Sequence, residues 1–303
     1  MIGLFHIENY SINTADFKHI LHDPIVTELE EKFAEYVGAK YACSICSATN
    51  AIFLMLLNKN VTVDIPSVIP PVVLNSILNS GNKINFIDDV SWIGDSYVLH
   101  QFEDYKVIDS AQKVDRDQFK KEANPEDLMF FSFYPTKPVG GIDGGMIVSD
   151  DYDKIAYFKE AVLNGMSYAN NNWERKIKFP GWKMYLNSFQ ATVVSENLKK
   201  LPAKVKRLEE IREAYNEALG YENTSSHLYR IFTRDNKAKM EELKKKGIVT
   251  GIHYEASHLN PVYNGDIKFA CPLSEAVAAT TLSIPFNEKL TNKEIKHIIE
   301  CVK

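Results

Sequence analysis

Phe130-Phe131-Ser132-Phe133-Tyr134-Pro135-Thr136-Lys137-Pro138-Val139-Gly140-Gly141-Ile142-Asp143-Gly144-Gly145 is the stretch on which the reading of this chain turns. The apolar run from Leu128 to Phe133 has the length and continuity of a buried strand, and it leads straight into a single lysine and a cluster of glycines. Strand ends carry the chemistry of open α/β sheets, and glycines let a backbone approach a ligand closely or take positive φ. Taken alone, the segment equally fits a strand, a tight glycine turn and an exposed lysine. The rest of the chain decides.

Working upstream, Tyr105 to Ile108 leads into Asp109-Ser110-Ala111-Gln112, a short strand ending in a carboxylate with an amide three positions later. That pair suits the gripping of a heterocycle, and it equally suits a turn opened by Asp109. From Pro24 to Val37 the apolar residues Ile25, Leu29, Phe33 and Val37 recur at helical spacing, with Gly38 as the stop. Tyr41 to Ile45 reads as a strand, Cys46 to Asn50 as a small polar turn, and Ala51 to Leu57 as an apolar helix. This order presents backbone N–H groups and the hydroxyls of Ser47 and Thr49 to a phosphate, although N-capping by either residue accounts for them too. Val61 to Ile65 and Lys83 to Ile87 read as strands around a helix over 72–79.

Downstream, Gly145 to Val148 reads as a strand and Asp151 to Leu163 as a helix. A long charged helix begins near Asn187, with Leu208, Ile211, Tyr215 and Leu219 on one face and Gly220 as its cap. It is expected to lead into a second domain with strands at His227 to Thr233 and Val249 to His253. Helices are expected there over Asn236 to Lys246, Cys271 to Leu282 and Thr291 to Val302, the last opened by capping-box spacing of Thr291 and Glu294. The expectation is an α/β large domain over 1–205 and a compact α+β domain over 206–303.

The 303 residues carry a formal net charge of -5 with no dense Lys/Arg stripe, which argues against nucleic acid as a partner. The longest apolar run, Ala51 to Leu57, is too short to cross a bilayer, and Met1 to Asn13 lacks the layout of a signal peptide, so a cytoplasmic protein with no membrane partner is expected. Cys43-Ser44-Ile45-Cys46 matches C-x-x-C, but without a second pair or a nearby histidine it argues poorly for zinc, and a redox role is the minority reading. Histidines 6, 19, 22, 100, 227 and 297 show no metal spacing, and no metal is expected. Neither G-x-G-x-x-G nor G-x-x-x-x-G-K-[ST] occurs, which removes the main support for dinucleotide and P-loop readings.

Three strand ends therefore carry Ser47/Thr49, Asp109/Gln112 and Ser132/Lys137. Pyridoxal phosphate chemistry needs this set: a lysine amine for the Schiff base, a carboxylate to keep the pyridine nitrogen protonated, and hydroxyls with helix N–H groups for the phosphate. At these residues the chain resembles the DegT/StrS-type nucleotide-sugar aminotransferases of pyridoxal phosphate fold type I. Asp109-Ser110-Ala111-Gln112 is similar to the family's D-A-A-Q, and Ser132-Phe133-Tyr134-Pro135-Thr136-Lys137 to its S-F-x-x-x-K. Phe33 to Lys40 and Ser47 to Ala51 resemble its lead-in and phosphate loop. His253-Tyr254-Glu255-Ala256-Ser257-His258-Leu259-Asn260-Pro261-Val262-Tyr263 resembles its H-Y-x-x-x-H-x-x-P-x-Y segment, and Ser283-Ile284-Pro285-Phe286 its S-L-P turn.

The resemblance implies a mostly parallel, seven-stranded-type sheet in the large domain and a smaller C-terminal α+β domain. It implies that Lys137 carries pyridoxal 5'-phosphate and moves the proton, that Asp109 pairs with the ring nitrogen, and that Gln112 bonds the phenolic oxygen. Thr49 and Ser132 would hold the phosphate, with backbone help at Ala48. His253, Tyr254 and His258 would face the substrate. The implied activity is amino transfer, with glutamate as the expected donor, to a keto-sugar carried on a nucleotide. The implied assembly is a homodimer with sites at the subunit interface.

The chain also departs from the family. Pro66-Ser67-Val68-Ile69-Pro70-Pro71 stands where the family places an aromatic that stacks on the cofactor, and Ala48 replaces a glycine. Gly181-Trp182-Lys183-Met184-Tyr185-Leu186 stands in for G-x-N-Y-R-M, and Lys183 reads either as a plain surface lysine or, the minority reading, as a cation for the partner's cofactor phosphate. Material is short between Asp88 and Asp109 and around Tyr221 to Ser226. Trp92, Trp173 and Trp182 suit stacking on a base or sugar, but such residues more often fill hydrophobic space. Arg175, Arg207, Arg212 and Arg230 are all candidates for the donor's carboxylate. A second reading, a catalytically decayed paralogue that binds sugar ligands or regulates, gains from the lost aromatic and the shortened middle. It loses from the retention of Lys137, Asp109, Gln112, Ser132 and Thr49.

Overall fold

The computed structural model describes residues 1–167, 174–264 and 269–303. Trp173 lies outside the described residues. In chain order the elements are α1 (Ile25–Val37), β1 (Tyr41–Ile45), α2 (Ala48–Leu56), β2 (Thr62–Pro66), α3 (Pro71–Asn79), β3 (Lys83–Ile87), β4 (Tyr97–Gln101), β5 (Lys106–Asp109), α4 (Gln118–Glu122), β6 (Leu128–Ser132), β7 (Gly145–Ser149) and α5 (Tyr152–Val162). There follow α6 (Ser188–Leu219), β8 (Tyr229–Phe232), α7 (Asn236–Lys245), α8 (Pro261–Asn264), α9 (Pro272–Thr280), β9 (Thr281–Ile284) and α10 (Asn292–Val302). Among the described residues no helix is long and apolar enough to cross a membrane.

One compact unit gathers Asn9–Lys59 and Ser96–Lys199. Its core is a five-stranded sheet in the order β1-β7-β6-β5-β4. The sheet is mixed: β5 and β6 pair parallel, whereas β7 runs antiparallel to both β1 and β6, and β4 antiparallel to β5. Strands β1, β5 and β6 therefore share one direction and end at one edge. The antiparallel β4 has a local cause, because only Phe102 to Tyr105 separates it from β5, and so short a link can join antiparallel strands only. Every residue of β6 and β7 is buried, as their unbroken apolar sequences require.

Helix α1 lays Leu29, Phe33 and Val37 against this sheet, and the Phe33 ring meets Phe131 and Phe133 edge-on at centroid distances of 4.9 and 5.3 Å. Emptying the Phe33 position would cost about 3–5 kcal/mol. Gly38 ends the helix in the left-handed region, its N–H returning to the Ala34 carbonyl. The same helix buries Glu30, whose carboxylate accepts from the Ser44 N–H and hydroxyl and pairs with Lys159 at 2.7 Å.

The other unit gathers Met1–Glu8, Asn60–Asp95 and Lys200–Lys303. Within it β2 and β3 pair in parallel around α3, and β8 and β9 pair antiparallel. Leu208, Ile211 and Tyr215 of α6 pack with Tyr229, Ile231, Leu282, Ile284 and Ile298, and the Tyr215 hydroxyl donates to the Pro285 carbonyl at 3.0 Å. The capping box of Thr291 and Glu294 opens α10 as its spacing predicts.

Two expected elements differ. Val249 to His253 forms no strand; this stretch makes a single bridge, Gly251 to Ser283, while the neighbouring Ile248 bridges to Ile2, so the chain passes between two partners without running alongside either. The expected helix from Cys271 to Leu282 stops at Thr280, and Thr281 onward becomes β9. The Asn236 amide holds this switch by donating to the carbonyls of Ala278 and Thr281 at 2.6 and 3.0 Å.

Candidate active site

Lys137 lies after β6 in a loop tied back on itself. Its N–H donates to the Tyr134 carbonyl at 2.9 Å, and Gly141 N–H donates to the Phe133 carbonyl at 2.8 Å. A Cβ on Gly140 would stand 2.3 Å from the Pro135 carbonyl oxygen, so this closure needs glycine. The Asn197 amide of α6 bonds the Gly140 carbonyl and the Tyr10 hydroxyl, fixing the loop from outside. Burial pushes the Lys137 amine down to about 8, against the pull of the Asp109 carboxylate. At pH 7 about a tenth of it is therefore neutral, the form in which an amine is nucleophilic, far more than at an ordinary lysine.

Asp109 closes β5 and is only 5% exposed. Burial raises its carboxyl pKa; the Ala111 N–H at Oδ1 (2.9 Å), the Tyr97 hydroxyl at Oδ2 (3.0 Å) and the charge of Lys137 act in the opposite sense. A buried carboxylate with so little positive charge near it suits a cationic ring N–H. Gln112, three residues on, is buried in the turn after β5.

The anion side of the site is built by strand register. Gly145, first residue of β7, stands opposite Ile45 at the end of β1 and Ser132 at the end of β6. A Cβ on Gly145 would lie 2.8 Å from the Ala48 nitrogen, so glycine lets the N-terminus of α2 reach the sheet edge. Ser47 caps α2 by accepting from Asn50 N–H at 3.2 Å, which assigns capping to Ser47 and leaves Ala48 and Thr49 in the first turn. Helix N–H groups and the Ser132 hydroxyl thus meet at the edge where β5 presents Asp109, an arrangement that fits a phosphate. These residues together fit pyridoxal phosphate.

The remaining sequence candidates have the following surroundings. Lys183 is exposed; the flanking Trp182 and Met184 N–H groups anchor the segment on the Ala161 and Val162 carbonyls. In the other unit, His253 Nδ1 bonds the Ser283 hydroxyl at 2.9 Å, Tyr254 lies parallel to Trp92 at 6.2 Å, and buried His258 bonds Ser67 and Glu275. Trp182 packs edge-on against Phe53, and Trp92 is 4% exposed, both as space-filling predicts. Cys43 and Cys46 are free thiols whose pKa values burial raises, so neither is activated.

Tyr97 is the site residue that sequence reasoning missed. Its position at the start of β4, opposite Asp109, exists only because β4 and β5 form a hairpin. The available signal was the shortened stretch before Asp109, too brief for a helical crossover.

Comparison with known proteins shows the family and the fold. The family model described as the DegT/DnrJ/EryC1/StrS aminotransferase family matches residues 7–92 and 107–303. The unmatched interval between them holds β4 and Tyr97. A UDP-4-amino-4,6-dideoxy-N-acetyl-beta-L-altrosamine transaminase of Campylobacter jejuni is 25% identical, over 90% of this chain and 87% of its own length. The spore coat polysaccharide biosynthesis protein SpsC of Bacillus subtilis is also 25% identical, over 92% and 89%. Among solved structures, the aminotransferase TlmJ from Streptoalloteichus hindustanus superposes with a TM-score of 0.82 at 21% identity, covering 100% of this chain and 98% of that one. The PLP-form of Spr1654 from Streptococcus pneumoniae superposes with a TM-score of 0.80 at 18% identity, covering 99% and 97%. These likenesses show the fold.

Proposed function

The chain belongs to the DegT/DnrJ/EryC1/StrS aminotransferase family, and from that premise we propose that it is a pyridoxal phosphate-dependent aminotransferase acting on a nucleotide-linked keto-sugar, with an amino acid such as glutamate as donor. The observation that carries this reading is the Lys137 amine, its pKa held near 8, within electrostatic reach of the buried Asp109 carboxylate at a sheet edge shared with Ser132 and the N-terminus of α2. The nucleotide-sugar part draws support from the activity for which the Campylobacter jejuni relative is named.

When bound, pyridoxal phosphate supplies an electron sink that draws charge from the substrate α-carbon. Asp109 would accept the ring N–H and keep the ring cationic, while Tyr97 and the Ala111 N–H hold the two Asp109 oxygens in place. Ser132, Thr49 and the α2 N–H groups would hold the phosphate, and Gln112 would bond the phenolic oxygen. Lys137 Nζ would hold the cofactor and would serve as the group that moves a proton at the substrate α-carbon. Its depressed pKa fits both tasks, since the neutral amine attacks and the ammonium gives its proton back readily.

His253, Tyr254 and His258 are proposed to serve the substrate, and Lys183 a partner subunit's phosphate in a homodimer. The division into a cofactor domain over 1–205 and a smaller domain over 206–303 remains part of this proposal. The test is a two-stage titration of purified protein supplied with pyridoxal phosphate. Glutamate should abolish the visible band of the lysine-bound cofactor, and a UDP-linked 4-keto sugar should restore it. A band that glutamate and every other amino acid leave unchanged would sink the aminotransferase reading and favour the decayed paralogue.

A further inference from the structure

Strand β8 carries a positive charge that the described chain leaves unneutralised. Arg230 sits between Tyr229 and Ile231, both buried in the core, so strand alternation sends its side chain to the opposite face of the β8–β9 pair. The backbone there is held by Asn223, whose amide donates to the Arg230 carbonyl at 3.0 Å. Across the pair stands Ser283, whose hydroxyl bonds His253 Nδ1 at 2.9 Å. The Phe5 ring is stacked on His227 at 5.4 Å and edge-on to His253 at 6.0 Å.

Two arginines of α6 have partners, and Arg234, unpartnered among the described residues, is exposed, whereas Arg230 is partly buried. Arg207 is bound to Glu210, the Leu290 carbonyl and Asn292, and Arg212 to Glu209 and the Thr224 carbonyl. Among the described residues the Arg230 guanidinium makes no hydrogen bond, ion pair or ring contact. It is largely desolvated, and burial depresses its pKa with no carboxylate opposing the effect. A guanidinium does not give up its proton in a protein, so a site of this kind is costly unless an oxyanion meets it. Its planar fork matches a two-oxygen anion bidentately.

We propose that Arg230, paired across from Ser283 on the face of the β8–β9 pair turned away from Tyr229 and Ile231, is the binding residue for an oxyanion of the substrates. The proposal rests on the aminotransferase reading for what those substrates are. Two groups share the required chemistry: the donor's carboxylate and the nucleotide's phosphate.

Calorimetric titrations of the cofactor-loaded protein with glutarate and, separately, with UDP test it on wild type, Arg230→Met and Arg230→Lys. One charge-assisted pair lost should weaken one of the two probes roughly ten- to a hundredfold in Arg230→Met, with Arg230→Lys in between. Weakened glutarate binding assigns the donor's carboxylate, and weakened UDP binding assigns the nucleotide's phosphate; either supports the proposal. Unchanged affinity for both overturns it. The cofactor-free Arg230→Met protein should melt no lower than wild type, because no internal bond is lost; a clear drop shows a structural role and also overturns it. The visible cofactor band is read on the same samples. Its absence from wild type would remove the functional reading, while the anion titrations would still report on Arg230.

Discussion

Replacing Tyr97 with phenylalanine removes one oxygen, and the structure predicts a measurable loss of cofactor affinity. The hydroxyl donates to Asp109 Oδ2 at 3.0 Å, and Asp109 is 5% exposed, so solvent screens the bond less than it would at the surface. A hydrogen bond to a charged group contributes about 1.5–3 kcal/mol, equivalent to roughly a ten- to a hundredfold change in a binding constant. Since Asp109 is proposed to hold the cofactor's ring nitrogen, Tyr97→Phe should raise the dissociation constant for pyridoxal phosphate by that factor. The pH dependence has a definite sign. Burial already raises the Asp109 pKa and Tyr97 opposes that rise, so losing Tyr97 raises it further. The carboxylate of the variant then takes up its proton at a higher pH as acid is added, and cofactor affinity should begin to fall at a higher pH than in wild type. Absorbance titrations of cofactor-free protein with pyridoxal phosphate from pH 5 to 8 measure both effects. Equal affinities within twofold and superimposable pH profiles would refute the assignment of Tyr97 as the residue that positions Asp109.

Lys137 and Gly145 supply two further tests. The Lys137 pKa falls from 10.5 to about 8 on folding, so the folded state bears the full cost of the buried ammonium below pH 8 and none of it above 10.5. Cofactor-free wild type should therefore gain about 3 kcal/mol relative to Lys137→Met between pH 7 and 11, measured by denaturant unfolding; a flat difference would contradict the placement of the amine. Gly145→Ala puts a Cβ 2.8 Å from the Ala48 nitrogen and 3.0 Å from the Phe131 carbonyl. It should cost about 1–3 kcal/mol and weaken pyridoxal phosphate binding by displacing α2, which calorimetry and thermal melts would show.

Much of this architecture was legible because single residues punctuate it. Gly38 stops α1, the apolar run of β6 is too continuous for anything but a buried strand, and Thr291 with Glu294 announces α10. Strand β4 escaped because Tyr97 to Gln101 carries little apolar pattern and its turn, Phe102 to Tyr105, has neither glycine nor proline. Strand β9 escaped because Thr281 to Ile284 continues the apolar character of α9 with no break between them. In the site, Lys137, Asp109 and Ser132 were readable as polar groups at strand ends. Tyr97 was not, since only the β4–β5 pairing brings its hydroxyl to Asp109. The same holds for His258, whose bond to Ser67 spans 191 positions, and for Arg230, whose isolation stands out against the partners that Arg207 and Arg212 find.

The central claim is that Lys137 Nζ is the covalent anchor of pyridoxal phosphate. It is tested most directly by treating the cofactor-loaded protein with borohydride, digesting it and locating the added mass by mass spectrometry. The account predicts a single modified peptide bearing the label on Lys137, and no label in Lys137→Ala. A label on another lysine, or none in the wild-type protein, would contradict it.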